Sequence, residues 1–347
     1  MSFTLPPDPR TERRNRIAGW VGFAFAALLV VLIVYLGYVG YEGSRQLTDA
    51  PHRSADCRTP AAFGWTYEAI NYPIETDSAL EAEADPQACS ARGALAGTDL
   101  TSADGTRLAG WYVPSASESD PAGPTVVIVH GWGSNKSSML DRAALLHDAY
   151  NLVLLDLRNH GQSQDSDTTQ GVREAADVVA VVDWLEATKG PERIALLGVS
   201  MGGVTVLNAA DDDDRIGAVV IDATHATMAS AAQARLDRAG YPLSLPGSWA
   251  ILMGALARTG EDVSSADAVQ AIARLDERPV LIINGGRDET IGENDAEDLR
   301  AAAEEAGSPA SLHVCEEAAH GGALEMCPEA YERWLLRFLE RALAPSS

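Results

Sequence analysis

Five short runs constrain this chain more than any other feature. TVVIVHG (125–131), NLVLLDLR (151–158), RIALLG (193–198), IGAVVID (216–222) and PVLIINGG (279–286) are apolar without alternation. A strand with one wet face would alternate polar and apolar residues. Strands apolar throughout are covered on both faces, which is the condition of a parallel sheet. Helical stripes lie between and after them. VREAADVVAVVDWLEAT (172–188) carries Val178, Val181, Val182 and Leu185 at three- and four-residue spacing. DAEDLRAAAEEAG (295–307) is acidic and amphipathic. PEAYERWLLRFLERAL (328–343) opens with Pro and carries Tyr331, Trp334, Leu335, Phe338 and Leu339 on one side. SLHV (311–314) is a further short strand, and Asp104-Gly105 marks a hairpin turn within residues 98–114. Strands alternating with helices predict an α/β fold with helices on both faces of the sheet.

The third run ends unusually. It passes into Gly198-Val199-Ser200-Met201-Gly202 and then a helix-like stretch, GVTVLNAA. Glycines on both sides of the serine suit a sharp, strained strand-to-helix turn, where side chains at Gly198 and Gly202 would collide with their neighbours. Such a turn lifts the Ser200 hydroxyl above the sheet at a helix N-terminus, which favours negative charge. Alone, the match also fits a Gly-rich turn with a surface serine. Serine is a poor nucleophile without a base, so the motif predicts a later acid and then a later histidine. Asp288 follows the strand VLIING, and His320 follows the last strand in LHVCEEAAHGG. The expected roles are Ser200 as nucleophile, His320 as general base and then acid, and Asp288 as orienter of the imidazole. The N–H of Met201 and the N–H of Trp132, in the loop HGWGSN (130–135), are the expected oxyanion donors. His130 and His160 are read as structural. His52, His147, His225 and His313 stand alone, and no His/Cys/carboxylate cluster has metal spacing. The chemistry needs no cofactor.

From about residue 98 to 344 the sequence resembles the α/β-hydrolase superfamily. Within it, the chain resembles bacterial serine hydrolases with an H-G-x-x-x-N oxyanion loop and a D-x-R-x-H-G-x-S loop, here HGWGSN and DLRNHGQS. The resemblance implies a mostly parallel eight-stranded sheet, acyl-enzyme chemistry on carboxylic esters or thioesters, and a small helical cap after the sixth strand. The cap is expected at about 223–275. There Tyr241, Leu243, Leu245, Trp249, Leu252 and Met253 either line an apolar acyl pocket or pack the cap onto the body. A small-molecule acyl substrate is the expected ligand. Acyltransfer, peptide cleavage or perhydrolysis on the same triad, and a catalytically silent binding protein, are the alternatives.

The N-terminus departs from the soluble members of that group. Residues 17–41 carry no charge, and 25 residues are enough to span the hydrocarbon core of a bilayer. Trp20 and Tyr35, Tyr38 and Tyr41 fall near the ends, as an aromatic belt would place them. A cleaved signal peptide would have a shorter apolar region and a small-residue cleavage site. The expected organisation is a cytoplasmic tail (1–16), a transmembrane helix in contact with membrane lipid (17–41), a linker or extension (42–95) and the catalytic domain (96–347). Arg10, Arg13, Arg14 and Arg16 put the N-terminus in the cytoplasm and the catalytic domain outside it. The net charge of -24 argues against a nucleic-acid partner. In an oxidising compartment the four cysteines should pair, as Cys315–Cys327 around the His320 loop and Cys57–Cys89 in the extension; free buried thiols are the alternative. Asn135-Lys136-Ser137 is a glycosylation sequon set inside the oxyanion loop.

Overall fold

The structure is a computed structural model, and it describes residues 9–50, 56–71, 99–117 and 120–344. The apolar runs become strands of one eight-stranded sheet, ordered β1-β2-β4-β3-β5-β6-β7-β8. They are β1 (Glu68–Ile70), β2 (Ala109–Val113), β3 (Thr125–Val129), β4 (Asn151–Asp156), β5 (Ile194–Val199), β6 (Ile216–Asp222), β7 (Val280–Gly285) and β8 (Ala310–Cys315). From β4 through β3 to β8 every neighbour is parallel; β1 and β2 close one edge antiparallel. The absence of alternation in the sequence is explained by two cores. Val127, Val129 and Leu196 enter one, and Val126, Ile128 and Leu197, their neighbours on the same strands, enter the other. The inner strands β2 to β7 therefore bury both of their faces, while the edge strands β1 and β8 are partly exposed.

The helices, after α1 (Pro9–Thr48), are α2 (Leu140–Ala144), α3 (Glu174–Thr188), α4 (Met201–Asp212), α5 (Met228–Arg238), α6 (Ser244–Thr259), α7 (Ala268–Ile272), α8 (Asp295–Glu305), α9 (Ala323–Met326) and α10 (Pro328–Ala342). The stripe of α10 reaches the second core through Tyr331, Leu335 and Leu339, all fully buried. Helices α5 and α6 form a cap between β6 and β7. Thr227 caps α5, its hydroxyl accepting from the Ser230 N–H at 3.0 Å.

Helix α1 differs from expectation at its far end. The apolar run stops at Tyr41, but the helix continues to Thr48, through residues expected to begin a linker. Close packing holds these two extra turns in place. Gly40 and Ser44 on α1 face Ala250 and Gly254 on α6, and a Cβ added to Gly254 would lie 2.6 Å from the Gly40 carbonyl oxygen. Small residues four apart on both helices let the backbones approach this closely. The last carbonyls of α1 are also occupied: Leu47 O accepts from Trp132 Nε1 (3.1 Å) and Gln170 Nε2 (2.8 Å), and Thr48 O from the Thr168 N–H (2.9 Å). Within the expected extension (42–95), Glu68–Ile70 forms β1 and pairs with β2. Residues 51–55 and 72–95 of that extension lie outside the described residues.

Candidate active site

The carboxyl ends of β5, β7 and β8 and the loops that follow them bring three side chains together. Ser200 sits between β5 and α4 with φ 56° and ψ -120°, a backbone geometry rare for any residue with a side chain. Its N–H donates to Asp222 O at 2.8 Å. A Cβ on Gly198 would lie 2.2 Å from Gly202 O, and one on Gly202 would lie 2.5 Å from His130 O. Both glycines are therefore required by the crossing of strand, turn and helix. His320 Nε2 lies 2.8 Å from Ser200 Oγ, and His320 Nδ1 lies 2.8 Å from Asp288 Oδ2. The Asp288 side chain is 1% exposed and its other oxygen accepts from the Thr290 N–H at 2.8 Å. An acceptor-only carboxylate at Nδ1 makes that nitrogen the donor and leaves Nε2 free to accept from the serine hydroxyl.

Cross-links hold the parts of this line. Asp222 gives its carbonyl to Ser200, and its buried carboxylate accepts from Arg142 (2.7 Å) and the Tyr331 hydroxyl (3.0 Å). Arg142 also donates to Gly321 O at 2.8 Å, next to His320. One buried ion pair thus braces both the serine turn and the histidine loop. Cys315 and Cys327 are joined by a disulfide that closes the same loop. Cys57 is also disulfide-bonded; Cys89, its expected partner, lies outside the described residues.

The loop after β3 (HGWGSN, 130–135) is supported from below. His160 Nδ1 donates to Arg158 O (2.8 Å) and its Nε2 accepts from the Gly133 N–H (3.0 Å). His130 Nε2 accepts from the Leu157 N–H at 3.2 Å. Burial, and next the neighbouring His160, pull the His130 imidazole down to about 3, so it is neutral. Asn135 is buried and spends its side chain on the Ser138 N–H and Asp56 O, which leaves the sequon no room for a glycan. Met201 opens α4, where an N–H has no partner within the helix. Trp132 and Met201 both line the cavity above Ser200.

That cavity has a volume of about 520 Å³. Ser200, His320 and Trp132 lie at its floor; Met228, Leu236 and Ile251 of the cap form one wall. Helix α1 also lines the cavity, through residues from Tyr38 to Leu47, which sequence reasoning did not place at the site. His225 is a second omission. It follows β6 by three residues, lines the cavity, and its Nε2 has no hydrogen-bond partner among the described residues. Burial, then His320, lower it to about 4, so it faces the cavity as a neutral imidazole. Its position just past the carboxyl end of a central strand was the available signal. The cap residues divide differently from either reading of them. Only Tyr241 lines the cavity; Leu252 is buried inside the cap; Leu243, Leu245, Trp249 and Met253 are exposed.

The family model of the alpha/beta hydrolase fold matches residues 124–267, from β3 into the cap. The protein YfhR of Salmonella typhi is 32% identical over 59% of this chain and 68% of its own length. This chain belongs to the α/β-hydrolase superfamily. YfhR of Escherichia coli K12 aligns over more of this α/β hydrolase, 72% of the chain and 82% of its own length, at 26% identity. An esterase of Pyrococcus furiosus superposes with a TM-score of 0.65, covering 86% of this chain and 99% of the esterase. Its 21% identity makes that a likeness of fold. The long N-terminal helix of this hydrolase is long and apolar enough to cross a membrane.

Proposed function

We propose that the chain is a membrane-anchored serine hydrolase that cleaves a carboxylic ester or thioester through an acyl-enzyme. The observation that carries this reading is the unbroken line from Asp288 through His320 to Ser200, with 2.8 Å at each step. Ser200 Oγ attacks the acyl carbonyl carbon while His320 Nε2 takes the hydroxyl proton. The carbonyl oxygen becomes an oxyanion held by the N–H groups of Met201 and Trp132. The intermediate collapses, the bond to the alcohol or thiol breaks, and His320 returns its proton to that leaving group. Water, deprotonated by the same imidazole, then releases the acid and restores Ser200. Asp288 holds the ring and stabilises the imidazolium throughout.

The apolar run of α1, with the arginines before it, supports a single-pass anchor with the N-terminus in the cytoplasm and the hydrolase domain outside. The Cys315–Cys327 bridge fits that compartment. A fluorophosphonate probe applied to the full chain in detergent is the direct test. Labelling is expected at Ser200 and absent from Ser200→Ala. Folded parent protein that takes up no probe would exclude the serine-hydrolase reading.

A further inference from the structure

Resting on that reading, we propose that the cap inserts into the membrane surface beside α1 and that the substrate is an acyl ester resident in the bilayer. The argument starts from α6. Its inner face is buried: Ile251, Leu252 and Ala255 pack on α1 and α5. Its outer face is apolar as well. Leu245, Trp249, Met253 and Leu256 recur at spacings of four, four and three, so they form one stripe. Leu245, Trp249 and Met253 are 55%, 56% and 62% exposed, with Leu243 beside them. The helix carries a single charge, Arg258, in its last turn. A helix apolar on all sides is normally buried in protein or in lipid, and among the described residues nothing covers this stripe.

The position of α6 along α1 selects lipid. The two helices run side by side in the same direction. Tyr35 of α1 donates its hydroxyl to Pro242 O at the start of α6, and Arg258, at its end, donates to Tyr41 O and Ser44 Oγ and lies over the Tyr41 ring. At 1.5 Å per residue, the roughly 30 Å hydrocarbon layer entered at Ile17 ends near Gly37. The exposed stripe therefore begins at the depth where hydrocarbon gives way to headgroups, and Arg258 lies on the headgroup side. An apolar face continuous with a spanning helix and bordered by Tyr and Arg is the pattern of an interfacial helix.

One cavity is lined both by Tyr38 and Val39 of α1 with Tyr241 of the cap, and by Leu47, Trp132 and Ser200. Tyr38 to Leu47 spans about 14 Å of helix, so the wall that α1 gives the cavity runs about that far from the hydrocarbon boundary toward the hydrolase domain. A molecule with its chain in the bilayer reaches Ser200 by sliding between α1 and the cap without crossing water.

The test compares the full chain with the combined variant Leu245→Gln, Trp249→Gln, Met253→Gln, both reconstituted in phosphatidylcholine vesicles. None of the three residues lines the cavity. With water-soluble 4-nitrophenyl butyrate the two proteins should agree within about twofold. With 4-nitrophenyl palmitate dissolved in the bilayer, the variant should fall by about tenfold or more. Equal ratios on the two esters would overturn the substrate assignment. A second measurement needs no turnover. Lipids brominated near the headgroup should quench the parent's tryptophan fluorescence more than that of Trp249→Phe, with Trp20 of α1 as an internal reference. Equal quenching in the two would overturn the docking surface. No quenching in either would instead overturn the anchor, and two inactive, unlabelled proteins would overturn the hydrolase reading.

Discussion

The floor and the roof of the cavity are built on opposite principles. At the floor, position is fixed by polar groups with named partners. Asp222 serves Ser200, Arg142 and Tyr331 at once, and Lys136, buried against the Trp111 ring, pairs with Asp156 next to the loop 130–135. Losing one partner there strands a charge in a low-dielectric interior. At the roof, α1 and α6 meet through Gly40, Ser44, Ala250 and Gly254, and the outer stripe of α6 has no polar group to place. Contact along the middle of the pair depends on shape, with polar links only at its two ends, Tyr35 to Pro242 O and Arg258 to Tyr41 O and Ser44 Oγ. The floor can hold atoms to within tenths of an ångström for proton transfer, whereas the roof can slide or part for a bulky substrate without breaking a buried ion pair.

The sharpest test of the floor is Asp288→Asn. The amide keeps the shape but presents a donor where His320 needs an acceptor, so the wrong imidazole tautomer is favoured. A fall in kcat of about 10⁴-fold is expected with an unchanged melting temperature. A change under tenfold would mean that Asp288 does not orient the base. For the roof, Gly254→Leu drives a side chain into the Gly40 carbonyl and the Ser44 hydroxyl. It should weaken the α1–α6 contact by about 1–3 kcal/mol and lower kcat/KM about tenfold, while the thermal transition of the sheet moves little. If sheet and cap melt together at a lower temperature, the two regions are not independent.

The smallest effect expected is on acid stability. His130 and His225 are held neutral, lowered by burial to about 3 and about 4, whereas the unfolded chain binds their protons near pH 6.5. The unfolded state then holds more protons below pH 6.5, so stability is present in full above that value and declines as pH falls toward 4 and 3. Thermal unfolding followed by circular dichroism should show a loss of about 5 °C between pH 7 and pH 5. His225→Gln should flatten that slope. An unchanged slope would mean that His225 carries its proton in the folded protein.

Legibility followed the same division. The strands were readable because a strand buried on both faces must be apolar at every position. The serine turn was readable because only glycine fits at Gly198 and Gly202. Helix α1 was readable as apolar, but not as a helix that runs past Tyr41 to wall the cavity. That extension depends on Gly40 and Ser44 meeting Ala250 and Gly254, some 200 residues away in the chain, and small residues carry no signal of their partner. His225 looked isolated because its neighbour in space is His320.

The sequence by itself determined a doubly covered parallel sheet, the order of serine, acid and histidine, and a spanning-length apolar helix. Each is a local consequence of periodicity, steric exclusion or length. Tertiary structure alone decided which side of α6 faces inward, what forms the second wall above Ser200, and that a single aspartate at the end of β6 ties the serine turn to the histidine loop. An all-apolar helix has no polar face to mark its outside, and a hydrogen bond between distant residues exists only once the chain has folded.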